Sequence, residues 1–283
     1  MSAAPARRMR FAFDAADHAA IASLVHEQIG IVLSPAKTQL VYGRLAPRVR
    51  AAGLDRFADY VRLIHNDDAE RRRAVDALTT NHTAFFRERH HYDHFLADAW
   101  PALAGRLATG GRVRLWSAAC SSGEEPVSLA MAILGADRAA GIRLARRDLR
   151  ILATDISDKA LNLARTGRYP AAAIQDVPPA LRTAWLRRQS DTAAVHPEAL
   201  ATIAYRPLNL LERWPIRRPF DAIFCRNVMI YFDEPTKQQL QSRLADQLVD
   251  GGLLYIGHSE HLSTGVAERF VSVGRTAFRK RGI

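Results

Sequence analysis

Apolar residues recur at helical spacing through the first quarter of the chain. In DAADHAAIASLVHEQIGIVL, Ile21, Leu24, Val25, Ile29 and Val32 share one face with Gln28, the period of a helix with one buried side. Gly30 marks its end, as glycine commonly does. Ser34-Pro35 then reads as an N-cap followed by proline at the first helical position. The helix KTQLVYGRLAPRVRAAG follows, with Leu40, Val41 and Leu45 turned inward and Arg44, Arg48 and Arg50 turned outward. Gly53 closes it, and FADYVRLIHND opens another. Residues 14–75 therefore read as short helices without strands, a small module of its own.

From about Gly111 the pattern changes. Short apolar runs at 113–117, 149–154, 222–225 and 253–256 alternate with helices starting near Glu124, Ser157 and Glu234. That alternation predicts an α/β fold, a doubly wound parallel sheet covered on both faces. Residues 169–205, with Pro170, Pro178, Pro179 and Pro197, break the rhythm and read as an insertion with its own small fold. The expected division is a helical domain over 10–78 and an α/β domain over 79–283, with the insertion at about 168–206.

Composition narrows the setting. A hydrophobic content of 48% over 283 residues is ordinary for a globular protein, and no apolar run is long enough to span a bilayer. The start, MSAAPARRMRFAFD, is basic but lacks the apolar core of a secretory signal. Cys120 and Cys225 each sit where a strand ends and read as small apolar fillers near a site. The expected location is the cytoplasm. A formal charge of +11 asks for an acidic partner: nucleic acid, an anionic membrane or a glutamate-rich protein surface. It is equally consistent with solubility alone.

The candidate chemistry starts at RVRLWSAACSSGEEP, residues 112–126. A strand, a small-residue turn and a helix start bring backbone N–H groups close to a nucleotide-like ligand. Yet the loop has one glycine, Gly123, and ends in Glu124 and Glu125 where a phosphate loop would carry Lys-Ser. Phosphate would be repelled and a cation welcomed. S-adenosylmethionine, with a sulfonium, an ammonium and no phosphate, fits both facts. Asp155 closes the second strand, ILATD, where a carboxylate can accept from ribose hydroxyls; the alternative, a helix cap, is better served by Ser157. Asn209 and Leu210 in RPLNLLE, and Asn227 in FCRNVMIYF, follow apolar strand segments and should line the crevice, unless the asparagines merely form turns.

TTNHTAFFRE joins the two domains. If Phe85 and Phe86 are buried, Asn81, Thr83 and Arg87 are held over the crevice as a lid; otherwise the segment is a linker helix capped by Asn81 or Thr83. His90, His91, Asp93 and His94 crowd the next segment, with His90 and His94 on one helical face. There is no HExxH and no evident third ligand, so it reads as a partly exposed amphipathic helix and no metal is assigned.

With these segments in place the chain resembles the CheR-type chemotaxis receptor methyltransferases, protein-glutamate O-methyltransferases. The resemblance rests on LTTNHTAFFRERHH, RLWSAACSSGEEPVSLAM, ATDIS, PLNLL, FDAIFCRNVMIYFD and GLLYIGHSE, in the family's order and over nearly the whole chain. It implies an S-adenosylmethionine-dependent α/β domain with a small inserted antiparallel β subdomain, and an all-α N-terminal domain that docks the receptor. It implies cofactor contacts at Asn81, Thr83, Arg87, Glu125, Asp155, Asn209, Leu210, Arg226 and Asn227, with Arg87 and Tyr231 near the methyl transfer. The implied substrates are glutamate side chains on the cytoplasmic methylation helices of chemoreceptors, and the products are methyl esters and S-adenosylhomocysteine. Arg44, Arg48 and Arg50 then become a strip for the glutamate-rich helix, on a monomer that engages neither nucleic acid nor the bilayer. One departure stands out. Members that dock on a receptor tether peptide carry a longer, glycine-containing loop in the β subdomain, whereas LRRQSDTAAVHPEAL looks shorter and has none, so the expectation is a tether-independent enzyme.

Two rivals remain. A nucleic-acid methyltransferase would suit the charge, but RNVMIYF lacks the prolines of an Asn-Pro-Pro-Tyr element. A non-catalytic S-adenosylmethionine-binding module is disfavoured by intact Arg87, Glu125, Asp155 and Tyr231.

Overall fold

The computed structural model describes residues 11–282; the basic first ten residues lie outside them. The chain divides into two compact units, 1–80 and 81–283.

The first unit is helical. Helix α1 (Ala15–Ile29) starts at a reciprocal cap: Asp14 accepts from the Asp17 N–H at 2.9 Å, and the Asp17 carboxylate accepts from the Asp14 N–H at 3.2 Å. Gly30, in the left-handed region at φ 70°, ends it. A short 3-10 turn (Pro35–Lys37) after Ser34 leads into α2 (Thr38–Ala51), followed by α3 (Phe57–Asn66) and α4 (Asp68–Leu78). Ile21, Val25, Val41, Leu45, Phe57 and Tyr60 are buried.

Two apolar positions depart from expectation. Leu40 is exposed, because Val41, Leu45 and Val49 form the buried i, i+4, i+8 stripe and Leu40 lies one residue off it. Val32 is exposed because it lies beyond the Gly30 cap, where the helical period no longer applies.

The second unit opens with α5 (His90–Asp98) and α6 (Trp100–Ala108). Strand and helix then alternate: β1 (Val113–Ala118), α7 (Glu124–Leu134), α8 (Arg138–Ala145), β2 (Leu149–Asp155) and α9 (Asp158–Thr166). The interrupted stretch holds β3 (Arg168–Pro170), α10 (Pro179–Trp185), β4 (Leu186–Gln189), β5 (Thr192–Val195) and α11 (Pro197–Leu200). β6 (Ile203–Pro207), β7 (Phe220–Cys225), α12 (Glu234–Asp246) and β8 (Leu248–Ile256) continue it, and α13 (Thr264–Ala267), β9 (Phe270–Gly274) and β10 (Ala277–Lys280) finish it.

The large sheet runs β6-β2-β1-β7-β8-β10-β9. β6 through β8 are parallel, while β10 is antiparallel to both neighbours. Every residue of β7 is buried, as expected of a central parallel strand covered on both faces. The strand order reverses between β1 and β7, which puts a ligand crevice beyond their carboxyl ends.

The insertion folds as a separate antiparallel sheet in the order β3-β5-β4. Its strands end at Val195; β6, inside the stretch assigned to the insertion, belongs to the large sheet, where Ile203 pairs with Ile151 of β2. The sequence reading also lacked the β9–β10 hairpin and the edge strand β6. No helix among the described residues is long and apolar enough to cross a membrane.

Candidate functional site

Five loops meet at the carboxyl ends of the parallel strands. The loop after β1 turns sharply: Ala119 and Ser121 take positive φ values of 61° and 50°, and Gly123 one of 93°. Glycine is required at the last, since a Cβ there would lie 2.8 Å from the Ala164 Cβ. The turn presents the Ser121 N–H to Asp155 Oδ2 at 2.7 Å, and the other oxygen of that carboxylate accepts from the Ser157 N–H at 2.9 Å. Asp155, buried at the end of β2, is thus oriented by backbone from both sides. Ser157, as expected, caps α9 by accepting from the Ala160 N–H at 3.0 Å.

Glu124 and Glu125 open α7. Burial pushes both carboxyls up, which Ser122 partly offsets at Glu124 and the Arg226 charge partly offsets at Glu125. Glu125 accepts from the Ser117 hydroxyl at 2.7 Å and from Arg226 at 3.0 Å. Arg226, the residue after β7, is almost fully buried. Its guanidinium also donates to the Tyr92 hydroxyl at 3.3 Å and to the carbonyl of Arg87, and it lies 3.4 Å from Glu88. Burial alone would lower its pKa, but Tyr92, Glu125 and Glu88 together raise it.

Glu88 is the residue that sequence reasoning passed over. It accepts from the Asn227 side-chain amide at 3.1 Å and meets His258 Nδ1 at 3.0 Å. Burial pushes its carboxyl up, but His258, Arg226 and Asn227 outweigh that and hold it at about 2. The signal was present in the RE of TTNHTAFFRE, yet its partners lie far along the chain.

The 81–89 segment is non-helical, irregular over 81–84 and turning over 85–89, so the capped linker helix is not formed. Phe85 and Phe86 are buried, as the lid reading required, and the Phe86 N–H donates to Ser128 Oγ at 2.9 Å. Asn81 is exposed, with its carbonyl accepting from Ser121 Oγ at 3.2 Å; Thr83 and Arg87 are half-buried, and Arg87 donates to the His82 carbonyl at 3.0 Å. Asn209 lies just past β6, where the Leu208 N–H donates to the Asp155 carbonyl at 3.0 Å. Its Oδ1 accepts from the Leu211 N–H at 3.0 Å, the turn role left open for it. Leu210 is buried, and Tyr231 is half-buried in a 3-10 turn (Met229–Tyr231) after β7. The structure therefore joins Arg87, Glu125 and Arg226 through hydrogen bonds, links Asn227 to them through Glu88, and anchors the loop of Asn209 and Leu210 beside Asp155. Asn81 is tied to the β1 loop through its carbonyl, and Thr83 lies in the irregular stretch before Arg87.

The histidine cluster is mostly structural. His94 bonds Tyr255 and the Val273 carbonyl, at 2.9 and 3.1 Å, and His91 is fully buried against Thr276 at 2.9 Å. Glu88, His90 and His91 do bring donor atoms within 4.8 Å of one another. The Glu88 carboxylate is already matched by Arg226, Asn227 and His258, and a cation there would face the guanidinium.

Two arginines of the expected receptor strip also have partners within the helical unit. Arg44 donates to the carbonyls of Leu78 and Thr79, at 2.6 and 2.8 Å, tying down the end of α4. Arg48 forms a two-pronged pair with buried Glu70, at 2.9 and 2.5 Å, which Tyr60 joins at 2.9 Å. These two arginines serve the helical unit itself; Arg50 is the exposed member of the three.

The carboxylates at a helix start, the fixed acid at the end of β2 and the crossing point of a mixed sheet define the S-adenosylmethionine-dependent methyltransferase fold. Comparison with known proteins is specific. The family described as CheR methyltransferase, SAM binding domain, matches residues 81–278, and the CheR methyltransferase all-alpha domain matches residues 16–79. The chain belongs to the CheR methyltransferase family. It is similar to a probable chemotaxis protein methyltransferase of Rhizobium etli, 42% identical over 90% of this chain and 96% of that one. Chemotaxis protein methyltransferase 2 of Pseudomonas aeruginosa is 39% identical over 95% and 94% of the two chains. The chemotaxis protein methyltransferase of Escherichia coli is 36% identical over 95% and 92%.

Proposed function

We propose that this protein transfers a methyl group from S-adenosylmethionine to glutamate side chains of chemoreceptors, in the cytoplasm and as a monomer, giving glutamate methyl esters and S-adenosylhomocysteine. The observation that carries the cofactor reading is the pair of carboxylates at the start of α7, buried Glu124 and largely buried Glu125, where a phosphate ligand would meet charge of its own sign. A donor set of acids at a strand–helix turn suits a sulfonium and an ammonium. Asp155, fixed by Ser121 and Ser157 at the end of β2, is the acceptor for the ribose hydroxyls.

When bound, the cofactor supplies an electrophilic methyl on sulfur. The protein's part is alignment. A substrate glutamate has an ordinary pKa near 4.3 and is already the nucleophile at neutral pH, so no general base is needed. Arg87 and Tyr231 orient that carboxylate; alignment of bound reactants is worth roughly 7–11 kcal/mol in favourable cases. Arg87 cannot pair tightly without blunting the nucleophile, so its role is orientation. Asn81, Thr83, Asn209, Leu210, Arg226 and Asn227 complete the cofactor contacts. On the helical unit, Arg50 contributes to docking the acidic receptor helix.

β4 and β5 are joined by a two-residue turn, Ser190-Asp191, and so short a hairpin supports the tether-independent reading. Methylation of receptors with and without their C-terminal segments should then be equal. The deciding experiment incubates the protein with methyl-labelled S-adenosylmethionine and cytoplasmic receptor fragments, followed by mild base. Label released as volatile methanol is the expected result. Base-stable label would point to N-methylation, and cofactor binding without label transfer to a sensor module.

A further inference from the structure

Beyond β8 the chain runs Gly257, His258, Ser259, Glu260. Glu260 is 8% exposed, and its carboxylate turns back into the protein. Oε2 accepts from the N–H groups of Gly257 and Asn227, at 2.5 and 3.0 Å, and Oε1 accepts from the Met229 N–H at 2.8 Å. Two of those three donors belong to a different loop, the one after β7. Among the described residues no cationic side chain pairs with this carboxylate, so backbone N–H groups take the place of a counter-ion. Burial raises its pKa, and the same N–H bonds draw it down.

The loop it grips is unusual. Asn227 takes φ 58°, in the left-handed region that few non-glycine residues enter and that asparagine tolerates best among them. Its side-chain amide is held from the other side by Glu88. Gly257 packs so closely that a Cβ would lie 2.8 Å from the Asn227 backbone nitrogen. Asn227 is therefore caught between two carboxylates and a glycine, with Arg226 before it in sequence and Tyr231 four residues beyond.

We propose that Glu260 is a positioning residue for methyl transfer: it holds the Asn227–Met229 backbone to the loop after β8, so that Arg226, Asn227 and Tyr231 present to the crevice in one fixed arrangement. The proposal rests on the cofactor and substrate roles assigned above. Glu260 touches neither cofactor nor substrate in this scheme and acts through the backbone of its neighbours.

The test is Glu260→Gln, which keeps size and shape. An amide has one accepting oxygen and one NH2 group, so either rotamer turns a donor towards at least one of the three N–H groups. Asp221→Asn is the reference. Asp221 is equally buried, accepts from the Arg114 N–H at 2.8 Å and from Arg106, and lies near the amino end of β7, away from the crevice. Both variants should lower the melting temperature. Glu260→Gln should in addition weaken S-adenosylhomocysteine binding, measured by calorimetry, by about 10- to 100-fold, the worth of one hydrogen bond to a charged group. Its kcat should fall while the receptor KM holds. Gly257→Ala, whose Cβ would crowd the Asn227 side-chain amide and backbone nitrogen, should weaken binding in the same way and serves if Glu260→Gln does not fold. Wild-type affinity and kcat in a folded Glu260→Gln or Gly257→Ala protein would overturn the proposal. Wild-type protein that binds no S-adenosylhomocysteine would overturn the cofactor reading, and the proposal with it.

Discussion

Arg226 and Glu125 form an ion pair at 3.0 Å with both side chains withdrawn from solvent, and the guanidinium is shared with Glu88 and the Arg87 carbonyl. Replacing Arg226 by Met would strand two carboxylates in a low-dielectric setting. The unfolding free energy, from denaturant titration, should fall by about 3–5 kcal/mol. Adding Glu125→Gln to that variant should recover part of the loss. A near-neutral Arg226→Met would mean that the carboxylates find other partners.

Arg87 separates chemistry from cofactor binding. Its side chain is half-buried and its carbonyl braces Arg226, a backbone contact that Arg87→Ala retains. Turnover in Arg87→Ala should be abolished while measurable S-adenosylhomocysteine affinity persists. Full activity would refute its orienting role.

Acid should destabilise the α/β unit from pH 6.5 downwards. Burial, then the Arg226 and His90 charges, hold His91 at about 3 against an ordinary 6.5. Between those values the unfolded chain takes up a proton that the folded chain refuses. Stability is therefore complete above pH 6.5 and falls by about 1.4 kcal/mol per pH unit below it. Glu88, held at about 2 against 4.5, adds its own loss only as pH drops below 4.5. His91→Gln should flatten the unfolding free energy between pH 6.5 and 4.5, and Glu88→Gln should leave the shape of that window unaltered.

The arginines of α2 should separate into two kinds. Arg50→Glu should raise the apparent receptor KM and leave cofactor affinity and melting temperature alone. Arg48→Ala should instead destabilise the helical unit by about 2–4 kcal/mol, since Glu70 would remain buried against Tyr60 without its main counter-charge. Equal effects of the two substitutions on KM alone would support the whole strip expected from sequence.

The parts of the site that were legible in the chain are those with local causes. The β1 turn, Asp155 with Ser157 behind it, and the helix opened by Glu124 and Glu125 all lie within one strand–turn–helix or strand-end segment, where period and cap residues suffice. What escaped depends on distant partners. Glu88 meets Asn227 139 positions away, and Glu260 reaches back 33 positions to the same residue. Arg48 looked solvated because a helical face says nothing of Glu70, 22 residues on. β6 was missed because its short run ends in Pro207 and its identity depends on pairing with β2. Asn209 was legible as either ligand or turn, and its Oδ1 bond to the Leu211 N–H shows a turn contact that does not decide the ligand role.

Cys120 and Cys225 flank the crevice from the β1 loop and the end of β7, and burial, then neighbouring acids, raise both thiols well above their ordinary range. A thiol that is neither solvated nor ionised is silent to alkylating reagents until the chain around it opens. Each is thus a built-in clock. Cys120 should count the openings of the turn that faces the cofactor, and Cys225 those of the sheet's central strand, so that the ratio of their labelling rates separates breathing of the site from unfolding of the domain.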